Sequence, residues 1–171
     1  MALSKIDVAN MLTGATPIVN GGTGASSFTK GKVLQIVNAR TGTEVTSNTA
    51  TYVDTGLTAT ITPSSTSNKI LVVVQQSAGK QATNTWGNIR LYRDSTEIGG
   101  TIPARSLGYT GDSTNNYMGI GCGITFLDTP SSTSALVYKT QFNNNEATGT
   151  IRVQVDSGQS FITLMEIEGW L

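Results

Sequence analysis

Glu166 and Glu168 are the two carboxylates whose spacing could support acid–base chemistry. Residues two apart on a strand lie on one face, about 7 Å from each other. Paired acids of glycoside hydrolases share such a separation. The sequence places no aromatic cleft around these glutamates, so we expect both on a solvated face and expect no glycosidase activity.

The tripeptide Asp54-Thr55-Gly56 is a second candidate. The same spelling occurs in aspartic proteases of the retroviral type, whose two aspartates share a proton across a dimer axis. A protease would need this aspartate on a loop held inside the core. Residues 52–53 and 57–61 instead have strand character and flank a tight Asp-Gly turn, so we expect a turn and no protease site.

Histidine is absent from the sequence, and Cys122 is the only cysteine. The first absence excludes Ser-His and Cys-His nucleophilic systems and imidazole metal sites, and the lone cysteine excludes an intrachain disulfide. Asp112, Asn115 and Asn116 carry oxygen ligands suited to calcium, but their spacing matches no known calcium loop. We expect no metal, no cofactor and no enzymatic activity.

Two glycine-rich stretches share letters with phosphate-binding loops. Residues 21–24, Gly-Gly-Thr-Gly, are followed by no lysine in the required position. The spaced glycines of residues 119–123 fall inside a predicted strand, which presents no helix N-terminus to a phosphate. We expect neither stretch to bind nucleotides.

Four aromatic residues lie in or beside long loops predicted at 77–88 and 94–116: Trp86, Tyr92, Tyr109 and Tyr117. Aromatic faces with nearby Asn and Asp side chains suit sugars, and long loops in compact domains frequently carry function. Simple packing over the end of the domain is the alternative. A host surface glycan is therefore one candidate ligand.

The charge of the chain is balanced, with 11 Lys and Arg against 11 Asp and Glu, and only 13% of residues are charged. This pattern indicates neither a nucleic-acid footprint nor a membrane-surface patch. No apolar run approaches the roughly 20 residues of a membrane span, and residues 1–12 lack the apolar centre of a secretory signal. We predict no nucleic-acid partner, no membrane partner and assembly in a cytoplasm.

After Gly31, apolar and polar residues alternate with period two, and turn clusters interrupt them about every ten residues. Thr, Ser and Asn number 27, 16 and 12, which favours strands and turns over helices. We predict an all-β head domain over 32–171, an antiparallel β-sandwich of the jelly-roll type. Its strands are predicted at 33–38, 51–62, 69–76, 87–93, 117–127, 135–142, 149–156 and 160–168.

Three of these strands carry further information. Residues 149–156 alternate cleanly, with Ile151, Val153 and Val155 on one face, as in a sheet wetted on one side. Residues 70–74 and 161–165 lack polar alternation, so both of their faces should be covered. Another subunit or a loop of the same chain could provide the second cover.

The strand over residues 117–127 places Gly119, Gly121 and Gly123 on one face and an apolar set that includes Cys122 on the other. Each glycine weakens a strand by roughly 0.5 to 1 kcal/mol, so something should compensate. The bare backbone would admit a neighbouring chain near a symmetry axis, or an aromatic side chain laid across it. We predict a subunit contact at these glycines and a core position for Cys122.

Residues 1–16 are predicted to form an N-terminal anchor. Ser4 can cap a short helix over 5–12, and two helical turns are marginal unless docked on a larger body. A frayed terminus is the alternative. The apolar residues available for docking are Leu3, Ile6, Val8, Met11 and Leu12.

Residues 17–31 are predicted to be a connector. Three glycines in four residues, at Gly21, Gly22 and Gly24, rule out a regular helix or central strand. Pro17 begins the run Pro-Ile-Val-Asn-Gly-Gly-Thr-Gly-Ala-Ser-Ser. If fully extended, residues 13–31 could span roughly 60 Å.

That run resembles the "PVANGGTGAS" connector near the N-termini of many bacteriophage tail and head fibre proteins. Residues 52–63, 67–74 and 161–168 resemble the β-rich heads of phage fibres and other virion proteins. The resemblance implies a homotrimer whose arms attach to a capsid or tail protein of the virion. Fibre shafts usually contain repeated segments, whereas this chain has a single connector copy, which favours a short head fibre or capsid decoration over a tail fibre.

The sequence therefore predicts a virion structural protein: a trimeric surface fibre or capsid decoration, with a head for host or surface attachment. Two alternatives remain open at this point. One is a receptor-binding tail fibre, and the other is a free carbohydrate-binding module.

Overall fold

The computed structural model of the chain describes residues 31–81, 85–99, 107, 117–146 and 149–169. The predicted anchor, all of the predicted connector except Gly31, and Tyr109, Asp112, Asn115 and Asn116 lie outside these ranges. The predictions made for those residues therefore stay predictions.

Ten strands and one short 3-10 helix make up the described part of the chain. The strands are β1 (Val33–Thr41), β2 (Val45–Ser47), β3 (Val53–Ile61), β4 (Lys69–Gln81), β5 (Gly87–Arg93), β6 (Thr96–Glu97), β7 (Tyr117–Asp128), β8 (Leu136–Asn144), β9 (Thr150–Val153) and β10 (Ser160–Ile167). The 3-10 helix spans Val155–Ser157.

The strands form two antiparallel sheets. Sheet A has the order β1-β10-β4-β9-β2, with β7 on the other edge of β4, and sheet B has the order β3-β8-β5-β6. Strand β4 is long enough to pair with β10 through its first half and with β9 through its last residues. Along its opposite edge it pairs with β7 over twelve residues.

The pairing is nested in sequence. Strands β2 and β9 pair with each other, and the other eight strands form nested pairs. Among these eight, the first pairs with the last (β1 with β10), the second with the seventh (β3 with β8), the third with the sixth (β4 with β7) and the fourth with the fifth (β5 with β6). A long hairpin wound into two facing sheets has this pairing, which defines a jelly roll. The predicted fold class is confirmed.

The predicted strands all exist, with differences at their ends. Strand β4 continues to Gln81, five residues beyond its predicted end, and β2 and β6 were not predicted. The prediction of a strand over 149–156 is wrong after Val153, because Gln154, Asp156 and Ser157 have positive φ angles of 55°, 51° and 63°. Val155 therefore belongs to the 3-10 helix and continues no strand face.

The predicted turn at Asp54-Thr55-Gly56 is also wrong. Strand β3 runs through these residues, and its register against β8 shifts between Asp54 and Thr58. Gly56 has φ +81°, a left-handed conformation that glycine adopts at little steric cost. The tripeptide therefore forms a β-bulge in a continuous strand.

The core lies between the sheets and takes alternate residues from each strand. Ile70, Val72 and Val74 of β4 belong to this core with Leu57 and Ile61 of β3, and all are at most 2% exposed. Cys122 belongs to this core as predicted, and its burial raises the pKa of the thiol. Fully burying one such aliphatic side chain contributes about 1.5–3 kcal/mol to folding.

Lys80 is 1% exposed on the inward face of β4, in the part of that strand that the sequence pattern missed. Removal from water disfavours the ammonium ion and so lowers the pKa of Lys80. The chain thus buries the amino group of Lys80 inside the sandwich.

Candidate assembly surface

The outer face of sheet A carries a row of apolar side chains across four strands. Ile36 of β1 is the register partner of Met165 of β10, which pairs with Leu71 of β4, which pairs with Leu127 of β7. We call these four residues the apolar ridge. Ile36 is 62% exposed and Leu127 is 49% exposed, so the described residues leave much of the ridge uncovered.

Other exposed apolar residues surround the ridge. The large apolar side chains that are exposed number seven in the described ranges, and six of them belong to strands of sheet A: Val33, Leu34, Ile36, Val73, Leu127 and Phe161. Isolated apolar residues on a surface need no explanation, but a contiguous apolar patch indicates an interaction site. Residues 70–74 and 161–165 therefore have one face in the core and one face that no described residue fully covers.

Beyond the ridge along β7, the same outer face is bare backbone. Gly119, Gly121 and Gly123, which we call the glycine row, are all exposed and pair with Gly79, Ser77 and Gln75 of β4. A Cβ built on Gly119 would meet nothing within 4 Å. On Gly121 it would meet the amide nitrogen of Gln75 at 3.3 Å, and on Gly123 only the Val74 carbonyl oxygen at 3.8 Å.

These spacings show that the described fold does not require glycine at Gly119 or Gly123. Neither residue has a positive φ, and a side chain at either position would meet no steric obstacle in the described residues. Among the residues that the structure describes, no aromatic side chain comes within 4 Å of a Cβ built on the row, and Gln75 is the one side chain that does. The compensation expected for three strand glycines is therefore not found in the described part of the chain.

The outer face of sheet B has a different character. Asp54 of β3 accepts hydrogen bonds from Lys139 Nζ at 2.9 Å and from Gln141 Nε2 at 2.7 Å. Arg90 of β5 forms an ion pair with Glu97 at 2.9 Å, and its guanidinium lies 3.8 Å from the centroid of the Tyr52 ring. Charged groups of this face pair with one another across neighbouring strands, as expected of a solvated sheet face.

The environment of Asp54 does not suit protease chemistry. Partial burial alone would raise its pKa, but the hydrogen bonds from Lys139 and Gln141 and the charge of Lys139 outweigh burial and lower it. The carboxylate is thus held in its charged form on an exposed surface, whereas a catalytic dyad needs a shared proton.

A buried cluster joins the two sheets at one end of the sandwich. Asp128, at the end of β7 in sheet A, accepts hydrogen bonds from Arg93 Nη1 at 2.7 and 2.8 Å and from the Tyr138 hydroxyl at 2.6 Å. Arg93 and Tyr138 are register partners in sheet B. Burial, together with the hydrogen bond to Asp128 and its charge, strongly raises the pKa of Tyr138, so the phenol stays protonated and keeps donating.

Glu166 is fully buried, so the prediction of a solvated face is wrong for this residue. Its Oε1 accepts from the backbone N–H and hydroxyl of Ser64 at 2.7 and 2.8 Å and from Asn68 Nδ2 at 2.5 Å, and its Oε2 accepts from Gln35 Nε2 at 2.6 Å. Burial alone would raise the pKa of Glu166, but these donors outweigh burial and lower it. The carboxylate therefore fastens the loop before β4 to sheet A.

A row of hydrogen-bonded polar side chains, which we call the polar chain, also crosses the middle of the core. The hydroxyls of Thr55 and Thr140 lie 2.6 Å apart, Thr140 donates to Gln76 Oε1 at 3.0 Å, and Gln76 Nε2 donates to Ser160 Oγ at 2.8 Å. These four side chains are buried and connect sheet B to sheet A. Period-two alternation marks such residues as inward-facing, but it does not identify their partners.

The candidate glycan residues that the structure describes do not lie together. Trp86 comes directly before β5 and donates its indole N–H to Glu146 Oε1 at 2.6 Å. Tyr92 lies near the other end of β5, opposite Lys139 and Glu97, roughly 20 Å away by strand geometry. The described residues thus provide no shared aromatic platform between these two, and the grouping with Tyr109 and Tyr117 stays a prediction.

Among residues 31–81, 85–99, 107, 117–146 and 149–169, no three His, Cys, Asp or Glu side chains gather to hold a metal ion. Within those residues there is also no helix of the length and apolar character that a membrane span needs.

No protein-family model matches the sequence, and no curated protein matches it. Among solved structures, the chain is similar to a structure of infectious bursal disease virus Gx strain, with 9% identity and a TM-score of 0.42 over 80% of this chain and 37% of that chain. It is also similar to the structure of T=1 particles derived from infectious bursal virus, with 14% identity and a TM-score of 0.42 over 81% of this chain and 37% of that chain. The chain thus spans little more than a third of each of these two chains.

Proposed function

We propose that this chain is a structural protein of a bacteriophage particle, either a trimeric surface fibre or a capsid decoration. The observation that carries this proposal is the contrast between the two outer faces of the sandwich. Sheet B presents charges that form ion pairs with one another, whereas sheet A presents the exposed apolar ridge and the bare glycine row. A monomer that works alone rarely leaves such a patch open, so the contrast favours a protein that functions in an assembly.

We assign a separate role to each of three successive segments of the chain. Residues 1–16 attach to a capsid or tail protein of the virion, residues 17–31 act as the connector, and the jelly-roll head over 32–171 is displayed for host or surface attachment. The resemblance of the connector to phage fibres supports this order. The role is structural, so no catalytic activity is assigned.

Deletion of the anchor and the connector tests whether these residues attach the head to the particle. The variant lacking residues 1–31 is expected to keep the β-rich circular-dichroism spectrum of the full chain and to be missing from purified particles. Electron microscopy of particles with the full-length protein tagged at its C-terminus should locate the head on the virion surface. A full-length protein that never co-purifies with particles would contradict the proposal.

The connector can be tested separately. Replacing Gly21, Gly22 and Gly24 with alanine should leave the head folded and reduce incorporation into particles, because alanine restricts the backbone freedom of glycine. Unchanged incorporation would mean that the connector acts only as a spacer.

Glycan recognition is the second candidate, as a receptor-binding tail fibre or a free carbohydrate-binding module. Trp86 and Tyr92 are each partly exposed, so each ring can contact a sugar separately, at positions roughly 20 Å apart. A glycan array probed with the isolated head tests it, and Trp86→Ala should abolish any signal. Sugar binding by a head whose arm contacts no particle would favour the free module over the virion protein.

A further inference from the structure

The apolar ridge and the glycine row occupy two halves of one continuous surface. Strand β7 contributes to both, with Leu127 in the ridge and Gly121 in the centre of the row. Six residues of strand separate these two positions, or roughly 20 Å. Between them lie Thr125 and Gly123, so the surface steps down from a row of large side chains to bare backbone.

The two halves are complementary in shape. Side chains at Ile36, Leu71, Leu127 and Met165 rise above the sheet by the height of an aliphatic side chain, and the glycine row lacks any side chain to match them. A partner for this face must offer a flat region to the ridge and a raised region to the row. A second copy of the same chain offers both.

The size of the face suits several small contacts in one assembly. Four strands about 4.8 Å apart and about 25–40 Å long cover roughly 600 Å², of which the ridge and the row each take about half. A single contact between ridge and row is therefore smaller than the roughly 800 Å² per partner of a standard interface, and a closed trimer combines three such contacts. Interfaces between identical copies are also more apolar than other surfaces, as this face is.

We propose that the apolar ridge of one copy packs on the glycine row of the next copy. The inference rests on the proposed homotrimer and adds which surfaces meet. Each copy gives its ridge to one neighbour and its row to the other, a heterologous contact that closes into a ring. If ridge packed on ridge instead, the glycine row would stay uncovered. The loss of strand stability that its three glycines cause would then have no compensation.

Paired cysteines test this arrangement directly. In a Cys122→Ala background, we compare Leu127→Cys, Gly121→Cys and the double variant, each treated with a short bis-maleimide cross-linker. The roughly 20 Å between the two positions exceeds the reach of a short reagent within one chain. The double variant should yield covalent multimers, and an equal mixture of the single variants should yield dimers of unlike chains.

The outcomes distinguish the inference from the proposed function. Covalent dimers in the mixture, with none from either single variant alone, would support the contact of ridge with row. Trimers in sedimentation without unlike cross-links, or with cross-links between identical positions, would overturn the inference and leave the trimer standing. Monomers in sedimentation would overturn both.

A second variant avoids any dependence on cysteine. Gly119→Val places a side chain where nothing lies within 4 Å, so the head should fold at least as stably as the original. The same side chain should keep the neighbouring ridge away and weaken association at least tenfold. Thr58→Val, on the exposed outer face of sheet B, is the matched control and should leave association unchanged. Unaltered association of Gly119→Val would also overturn the inference.

Discussion

Leu71 of β4 and Leu127 of β7 are register partners on the outer face of sheet A, directly behind a core that the neighbouring residues of the same strands help to form. The two strands are thus apolar on both faces over this region. One face is buried between the sheets, and the other is only partly covered by described residues. The described part of the head therefore has a packed core between its sheets and an exposed apolar surface on the outer face of sheet A.

Leu127→Asp should prevent association without unfolding the head. Leu127 is 49% exposed, so a carboxylate there stays solvated in the isolated chain but would be desolvated in an apolar contact. We expect at least a tenfold weaker association in sedimentation and an unchanged circular-dichroism spectrum. Val137→Asp, at a 36% exposed apolar position of sheet B, is the control and should associate as the original does.

Asp128→Asn should lower the free energy of unfolding by about 2–4 kcal/mol, because it removes the charge that binds Arg93 and the acceptor geometry that holds Tyr138. Asp54→Asn, on the exposed face of sheet B, should change it by less than about 1 kcal/mol. Urea unfolding of both variants measures the difference. Equal effects would show that the cluster does not hold the sheets together.

Glu166→Gln should destabilise the head by about 2–3 kcal/mol at neutral pH, because an amide cannot accept all the donors that converge on the carboxylate. The pKa of Glu166 in the folded head is lowered below its ordinary value of about 4.3. The stabilisation is therefore fully present above pH 4.3 and is lost as the pH falls through the folded pKa.

The measurement for Glu166 compares urea unfolding of the original and of Glu166→Gln at pH 7 and pH 3. The gap between the two free energies of unfolding should narrow at pH 3, because Glu166 in the unfolded chain, with a pKa of about 4.3, then binds a proton and favours unfolding. A gap of the same size at both pH values would show that the charge of Glu166 contributes nothing.

Thr140→Val removes the hydroxyl in the middle of the polar chain through the core. Gln76 Oε1 loses its donor from Thr140, and Thr55 loses its hydroxyl partner. We expect a loss of about 1–3 kcal/mol, since Gln76 Oε1 loses this donor inside the core, whereas Thr55 keeps the backbone carbonyl of Thr140 as its acceptor. Thr58→Val, two residues from the bulge but outward-facing, should change the free energy of unfolding by less than about 0.5 kcal/mol.

The sequence predicted the jelly roll because period-two alternation and turn clusters are local features of the chain. Strand β5 was predicted with its observed limits, and the core position of Cys122 followed from the alternation of β7. The same reasoning failed at Asp54-Thr55-Gly56, since a turn and a bulge both use a glycine with positive φ. Only the pairing of β3 with β8 distinguishes the two.

Burial of Glu166 could not be predicted either. Its donors come from Gln35, Ser64 and Asn68, as many as 131 residues away in sequence. The sequence predicted only the part of the apolar ridge that lies in residues 70–74 and 161–165, whose apolar residues do not alternate with polar ones. Its continuity from Ile36 to Leu127 depends on a strand order that no local pattern specifies.

Sedimentation equilibrium of the full chain at micromolar concentration tests the central claim most directly. If other copies cover the outer face of sheet A, the measured mass should be three times the 17.9 kDa of one chain. A stable species of 17.9 kDa under these conditions would contradict the account, because the apolar ridge would then remain open to water.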